Sequence, residues 1–216
     1  MDDYLAARRY LYTLFQSLFG NEPNSKQLEA IDVGLTEQAF TVVTERAREQ
    51  YEEAGQLARF LSVLSNLPEL SELISEYTKT LIGPDKLAAP PWESVYTSKG
   101  RALFTHNTLE VRNLYRSQGF IAAKYPHVAD DHLAIELDFL AQLAERAQKE
   151  LAEEGDTALR ASLGFLNNHL LEWLPLYTMK ITEAAISSSP GFFTATAQAL
   201  LVFAQADAKV LKELVD

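Results

Sequence analysis

The sequence predicts an all-α fold, and three observations carry that prediction. Apolar residues recur at three- and four-residue intervals over most of the chain. Residues that open or close helices stand at the ends of those runs. No alternating stretch of comparable length marks a strand, and no repeat of 20–50 residues is evident.

Taken in order, Tyr4, Leu5, Tyr10, Leu11, Leu14, Phe15, Leu18 and Phe19 give a strong first helix, with Gly20 as its C′ residue and Pro23 just beyond. Asn24 or Ser25 opens a short second helix through Ile31. Thr36 is placed as the cap of a third, running to about Ala54, where Gly55 breaks it. Leu57, Phe60, Leu61 and Leu64 mark a fourth. Pro68 opens a fifth through Leu70, Leu73, Ile74, Tyr77 and Leu81.

Residues 83–97 interrupt this pattern. Three prolines and a glycine exclude regular helix, yet Leu87, Trp92, Val95 and Tyr96 are present. That aromatic content predicts an ordered, extended loop packed on the helices, with Trp92 and Tyr96 as anchors. Asn107 with Glu110 fits a capping box, and Gly119 closes that helix. Residues 120–129, which include Pro126, are the best hinge. A helix from about 131 to 153 follows, stopped by Gly155. Asp156 caps the next, which carries Leu159, Leu163, Phe165 and Leu166 and continues through His169, Leu170, Trp173, Leu174, Tyr177 and Ile181, with Pro175 placed to kink it. Ser189 and Pro190 read as N-cap and N1 of a last helix through Phe192, Phe193, Leu200, Phe203 and Val210. The expectation is nine or ten helices in one domain over 1–216, with two lobes, about 1–119 and 130–216, hinged near 120–129.

The chain's 216 residues, 47% of them hydrophobic, suffice for a sizeable core. A net charge of −11 argues against nucleic acid or an anionic membrane as main partner and suits a basic peptide. The absence of cysteine excludes disulfides, thiolate catalysis and zinc–cysteine sites. No apolar run approaches 18 residues and no leader pattern opens the chain, so a soluble, non-exported protein without stable membrane insertion is expected. Phosphate-cradling glycine loops and nucleophile elbows are absent, which favours binding over catalysis.

The stretch Asp130-Asp131-His132-Leu133-Ala134-Ile135-Glu136-Leu137-Asp138-Phe139-Leu140 organises the chain. At about 100° per residue its apolar arc spans roughly 200°, the mark of a largely buried helix. Two acids open it, where they can cap a helix. His132 and Glu136 fall inside the arc, one turn apart, while Asp131, Asp138, Gln142 and Glu145 fall on the wet side. A polar pair on an apolar face needs partners. Three readings stand: the pair bonds the backbone of the proline-rich loop, it contacts a ligand, or it binds a metal with His169 or Asp131 as a further ligand. Trp92 and Tyr96 are loop anchors, groove-lining groups, or both.

These motifs resemble those of the TorD/DmsD/NarJ family. Gly83-Pro84 through Pro90-Pro91-Trp92-Glu93-Ser94-Val95-Tyr96 is similar to its proline- and aromatic-rich motif. Asp131-His132-Leu133-Ala134-Ile135-Glu136-Leu137-Asp138-Phe139 resembles its Asp-His-Leu-x-x-Glu-Leu-x-Phe signature. Phe165 through Tyr177, with His169, Trp173 and Pro175 in register, resembles the third. The resemblance spans about the whole chain, the N-terminal third by helical pattern only. It implies an all-helical cytoplasmic chaperone, not an enzyme, that binds the twin-arginine signal peptide of a molybdopterin oxidoreductase catalytic subunit in its apo form and assists cofactor insertion before export. It also implies weak guanine-nucleotide binding and domain-swapped dimers; from the residues themselves no resident cofactor or tightly bound metal is expected, and the hinge over 120–129 leads to the expectation of mainly monomer with some dimer. The peptide-binding surface carries over to Pro91, Trp92, Tyr96, Asp131 and His132, with Glu136, His169 and Trp173 in support. Tyr96 stands where some relatives have a second tryptophan, and Glu93 where a small residue is common. The alternatives are a NarJ-like assembly chaperone for a non-exported subunit and a nucleotide- or metal-using helical enzyme.

Overall fold

The computed structural model describes residues 1–48, 51–83, 87–98, 106–122, 127–151, 155–185 and 191–216. The chain is all-α. In order, α1 is Asp2–Gly20, α2 Ser25–Glu29, α3 Val33–Ala47, α4 Tyr51–Ser65 and α5 Leu70–Tyr77, which widens into a π-helical turn over Thr78–Ile82. Then come α6 Glu93–Thr97, α7 His106–Ser117, α8 Leu133–Leu151, α9 Thr157–Phe165, a second π-helical turn Leu166–Leu170, α10 Leu171–Ala185 and α11 Phe192–Val215. No described helix is long and apolar enough to cross a membrane.

One contiguous core joins both halves of the chain. Its most enclosed element is α11, which packs on α1, α3, α4, α5, α9 and α10. Ala195, Ala197, Ala199, Ala204 and Ala206 are all buried along it, and small side chains let neighbouring helices approach on every side. Against α11, Phe203 gathers Tyr12, Phe15 and Phe40 at centroid separations of 4.7, 6.0 and 6.5 Å. A second aromatic knot holds Tyr115, Phe120, Phe139 and Phe165 around α8. Each such ring stabilises by about 1.5–3 kcal/mol through burial.

Inside this apolar frame lies a charged cluster. Arg8 and Asp207 are both fully buried. Arg8 Nε donates to both Asp207 carboxylate oxygens at 2.8 Å, and Tyr4 and Tyr12 each donate a hydroxyl to one of them at 2.6 Å. Burial opposes the guanidinium charge, but Asp207, Tyr12 and Tyr4 together outweigh it and hold Arg8 above its ordinary pKa. Among the described residues Arg8 Nη1 and Nη2 find no hydrogen-bond partner. The first helix is thereby tied to the last.

Several predicted ends fall elsewhere. Asn24 does cap α2, accepting from Gln27 N at 3.0 Å. Asp32, not Thr36, caps α3, accepting from Leu35 N at 2.9 Å, and Thr36 is buried inside that helix. The break after α3 is made by Arg48 in the left-handed region (φ 54°), while Gly55 continues helically in α4. Gly20 closes α1 without a left-handed turn; a Cβ there would meet Ala134 Cβ at 2.9 Å, so its smallness serves the contact between α1 and α8. Residues 83–97 are not wholly extended, because α6 begins two residues after Pro91. Asn107 lies within α7 and spends its amide on Glu93 at 3.3 Å. The helix placed at 131–153 starts at Leu133. Pro84, Pro126 of the expected hinge, and the Ser189–Pro190 cap lie outside the described residues.

Candidate functional site

The site is assembled where the segment before α6 meets the segment before α8. Glu93 N donates to Asp131 O at 3.0 Å and Leu133 N to Pro91 O at 2.9 Å, a single antiparallel bridge pairing Trp92 with His132. Proline is tolerated at Pro91 because the bridge uses only its carbonyl. Facing residues of such a bridge share a side. The Trp92 and His132 rings accordingly meet edge to face, 5.1 Å apart at 81°. Both remain half-buried, whereas Pro91 is buried. His132 Nδ1 accepts from Ala134 N at 3.1 Å, which in the neutral ring places the proton on Nε2.

Asp131 is fully buried. Its Oδ2 accepts from Ser94 N at 2.9 Å, so it caps α6 from a different segment and meets that helix's positive end. The expected wet-side position fails because Asp131 precedes α8 and the helical wheel does not apply to it. Asp130 is used differently again: Arg112 Nη2 and Nε donate to its Oδ2 at 2.7 and 2.9 Å.

Below the bridge, α6 turns Glu93 inward to 1% exposure. His169 Nδ1 lies 3.2 Å from both Glu93 carboxylate oxygens, and Asn107 Nδ2 donates to one of them at 3.3 Å. Trp173 Nε1 donates to Glu136 Oε2 at 3.2 Å. Tyr96 stacks on Trp173, 5.4 Å away at 27°, and meets Tyr177 at 6.4 Å and 88°. The π-helical turn Leu166–Leu170 brings His169 to this cluster, and α10 continues beyond it through Pro175. Such widened turns tend to mark functional places. Burial pushes the Glu136 carboxyl well above the usual carboxylate range, and the charges of Glu93 and Asp131 push it the same way. Among the described residues Asp131 Oδ1 is buried with no hydrogen-bond partner.

The structure thus brings Pro91, Trp92, Tyr96, Asp131, His132, Glu136, His169 and Trp173 into one neighbourhood, in two layers. Trp92, His132 and Tyr96 are partly open, while the acids, His169 and Trp173 lie beneath. The loop is bonded by the backbone of Asp131 and Leu133 and by the Asp131 carboxylate, while Glu136 accepts from Trp173. Among the described residues no group of three or more His, Asp or Glu side chains is arranged to hold a metal ion. Sequence reasoning missed Glu93 as the hub of the lower layer, and missed Asp207. The available signal was an acid set among apolar neighbours, since a charge carried into a core demands a partner.

A sequence model described as nitrate reductase delta subunit matches residues 45–179, which include every group of the two layers but not Asp207. The chain belongs to this family. Within it the chain is similar to proteins named chaperone protein TorD. One, from Vibrio cholerae serotype O1, is 34% identical over 164 residues, covering 75% of this chain and 73% of that one. Another, from Aliivibrio salmonicida, is 27% identical and covers 94% of both chains. A third, from a Shewanella species, is 26% identical over 97% of this chain and 96% of its own. Similarity to proteins named as chaperones therefore runs over nearly the full length of the chain.

Proposed function

We propose that this TorD-like protein is a cytoplasmic maturation chaperone. It binds the twin-arginine signal peptide of a molybdenum-cofactor oxidoreductase around Trp92, Tyr96 and His132, and holds the unloaded enzyme until its cofactor is inserted. One observation carries the reading: a half-buried tryptophan and histidine, paired edge to face, sit on a bridged backbone. A twin-arginine peptide is a basic segment followed by an apolar one. Aromatic rings suit its apolar part and can face guanidinium groups, and the molecule's net charge of −11 draws in its basic part. Asp131, being buried, acts as a positioning residue that fixes the loop carrying Trp92.

The test is calorimetric titration with a twin-arginine peptide, beside thermal melts. Trp92→Ala is expected to keep the fold and to lose about 2 kcal/mol of binding or more, near thirtyfold. Unchanged affinity in folded Trp92→Ala protein would remove Trp92 from the site. The description of the matching family favours a second reading, an assembly chaperone for a subunit that is not exported. A client tail without the arginine pair that binds as tightly as the twin-arginine peptide would select it.

A further inference from the structure

A second surface lies beside Asp130, the residue that precedes the bridged segment. At the end of α7, Gly119 takes a left-handed turn (φ 69°). Gly119 N donates to Arg116 O at 3.0 Å and Phe120 N to Tyr115 O at 2.8 Å, so the chain folds back over the last turn. Phe120 is driven inward against Tyr115 and Phe139, 4.9 and 5.4 Å away. Ile121 is driven outward, to 78% exposure.

Between them is a cleft of about 210 Å³ with an apolar floor, walled by Tyr115, Phe120, Ile121 and Ala122, with Arg112, Arg116 and the buried Asp130 as its charged lining. The Arg112 guanidinium is held by Asp130. Arg116 is exposed, and among the described residues no hydrogen bond or ion pair engages its guanidinium. Leu109, 50% exposed, shares their helix face at the i, i+3, i+7 spacing. Arg146 of α8 adds a third guanidinium nearby, bonded to Gln118 O at 2.6 Å. A cationic, apolar face thus stands out on a chain whose 30 acids outnumber its 19 lysines and arginines.

We propose that this face docks an acidic segment of a protein partner, with an apolar side chain in the cleft and a carboxylate on Arg116. The volume falls below the roughly 300–1,000 Å³ of small-molecule pockets, so it suits one side chain of a longer segment better than a whole cofactor. Guanidinium groups bind carboxylates through paired, charge-assisted hydrogen bonds. The same groups repel a basic peptide, which separates this face from the aromatic one. The proposal does not depend on the signal-peptide reading.

The test is binding of the full-length protein to an immobilised array of short peptides graded in net charge and in leucine and phenylalanine content, with melts and sedimentation alongside. Acidic peptides with an apolar residue are expected to bind, less at high salt. Arg116→Glu and Ile121→Ser, both exposed changes, are each expected to weaken binding about tenfold at an unchanged melting temperature. Neither should alter titration with a twin-arginine peptide. No binding by the acidic peptides, equal binding of lysine-substituted counterparts, or wild-type binding by folded Arg116→Glu would overturn the proposal. So would a dimer that Ile121→Ser dissolves, since the face would then belong to a second copy.

Discussion

Trp92 and Asp131 stand on opposite faces of the same bridge, and replacing them should fail in different ways. Trp92 is half-open, so its loss is read in binding. Asp131 is buried on the Ser94 amide, so its loss is read in stability. Asp131→Ala is expected to cost about 1–2 kcal/mol as a lost helix cap, whereas Asp131→Asn keeps an acceptor oxygen and should cost less. Thermal melts of the two variants check this, and equal, negligible shifts would contradict it. Glu136 gives a prediction in pH. Burial, then Glu93 and Asp131, raise its folded-state pKa above that of the unfolded chain. The folded protein therefore holds a proton that the unfolded chain has already released. This contribution to stability is fully present below the ordinary carboxylate pKa and is lost as pH rises through the raised value. Glu136→Gln keeps an acceptor for Trp173 Nε1 and removes that titration. Its melting temperature relative to wild type should climb as pH rises through that window, and a constant difference across it would refute the assignment.

Among elements, α11 shows how a helix start can be satisfied from elsewhere in the chain. Phe192 N and Phe193 N donate to the Glu76 carboxylate at 3.1 and 2.9 Å. The unpaired amides and positive end of α11 are thus met by a side chain of α5. A Cβ on Gly191 would collide with that same carboxylate. Glu76→Ala should cost about 1–2 kcal/mol, and Gly191→Ala should cost a similar amount by evicting Glu76. Because both remove one interaction, the double variant should be little worse than either alone. Denaturant titrations of the cycle test this, and full additivity would show that the two residues act separately. The short helix α6 illustrates the same rule, since five residues cannot hold themselves helical and the Asp131 carboxylate and the bridge hold them.

Across the whole molecule, Arg8 and Asp207 join the chain's first and last helices. Asp207→Ala would leave a buried guanidinium without its counter-charge, Tyr12 without its acceptor and Tyr4 with only the longer bond to the backbone carbonyl. It is expected to cost about 3–5 kcal/mol, a large part of the 5–15 kcal/mol by which a domain is typically stable. Loss of soluble protein or a sharply lowered melting temperature is the expected result, and a near-wild-type melt would deny the pair its structural role.

What the amino-acid order determined by itself is whatever depends on neighbours a few residues apart. The apolar periodicity of Tyr4 to Phe19 and of Leu133 to Ala144 fixed helices and their buried faces, because those contacts repeat every turn. Asn24 and Gly119 announced local caps for the same reason. The three motifs bearing Trp92, His132 and His169 could be read together as one resemblance, since each is a short, fixed string. Tertiary structure alone decided what each polar group bonds. Asp131 reads as a cap for the helix that follows it and instead caps α6, 37 residues earlier in the chain. Gly20 reads as a helix stop and instead makes room for Ala134. Glu93 reads as a stray charge and becomes the partner of His169, and Asp207 meets Tyr4 across 203 residues. A buried charge or a missing side chain signals that something must lie against it, but the packing of helices distant in sequence chooses which group that is.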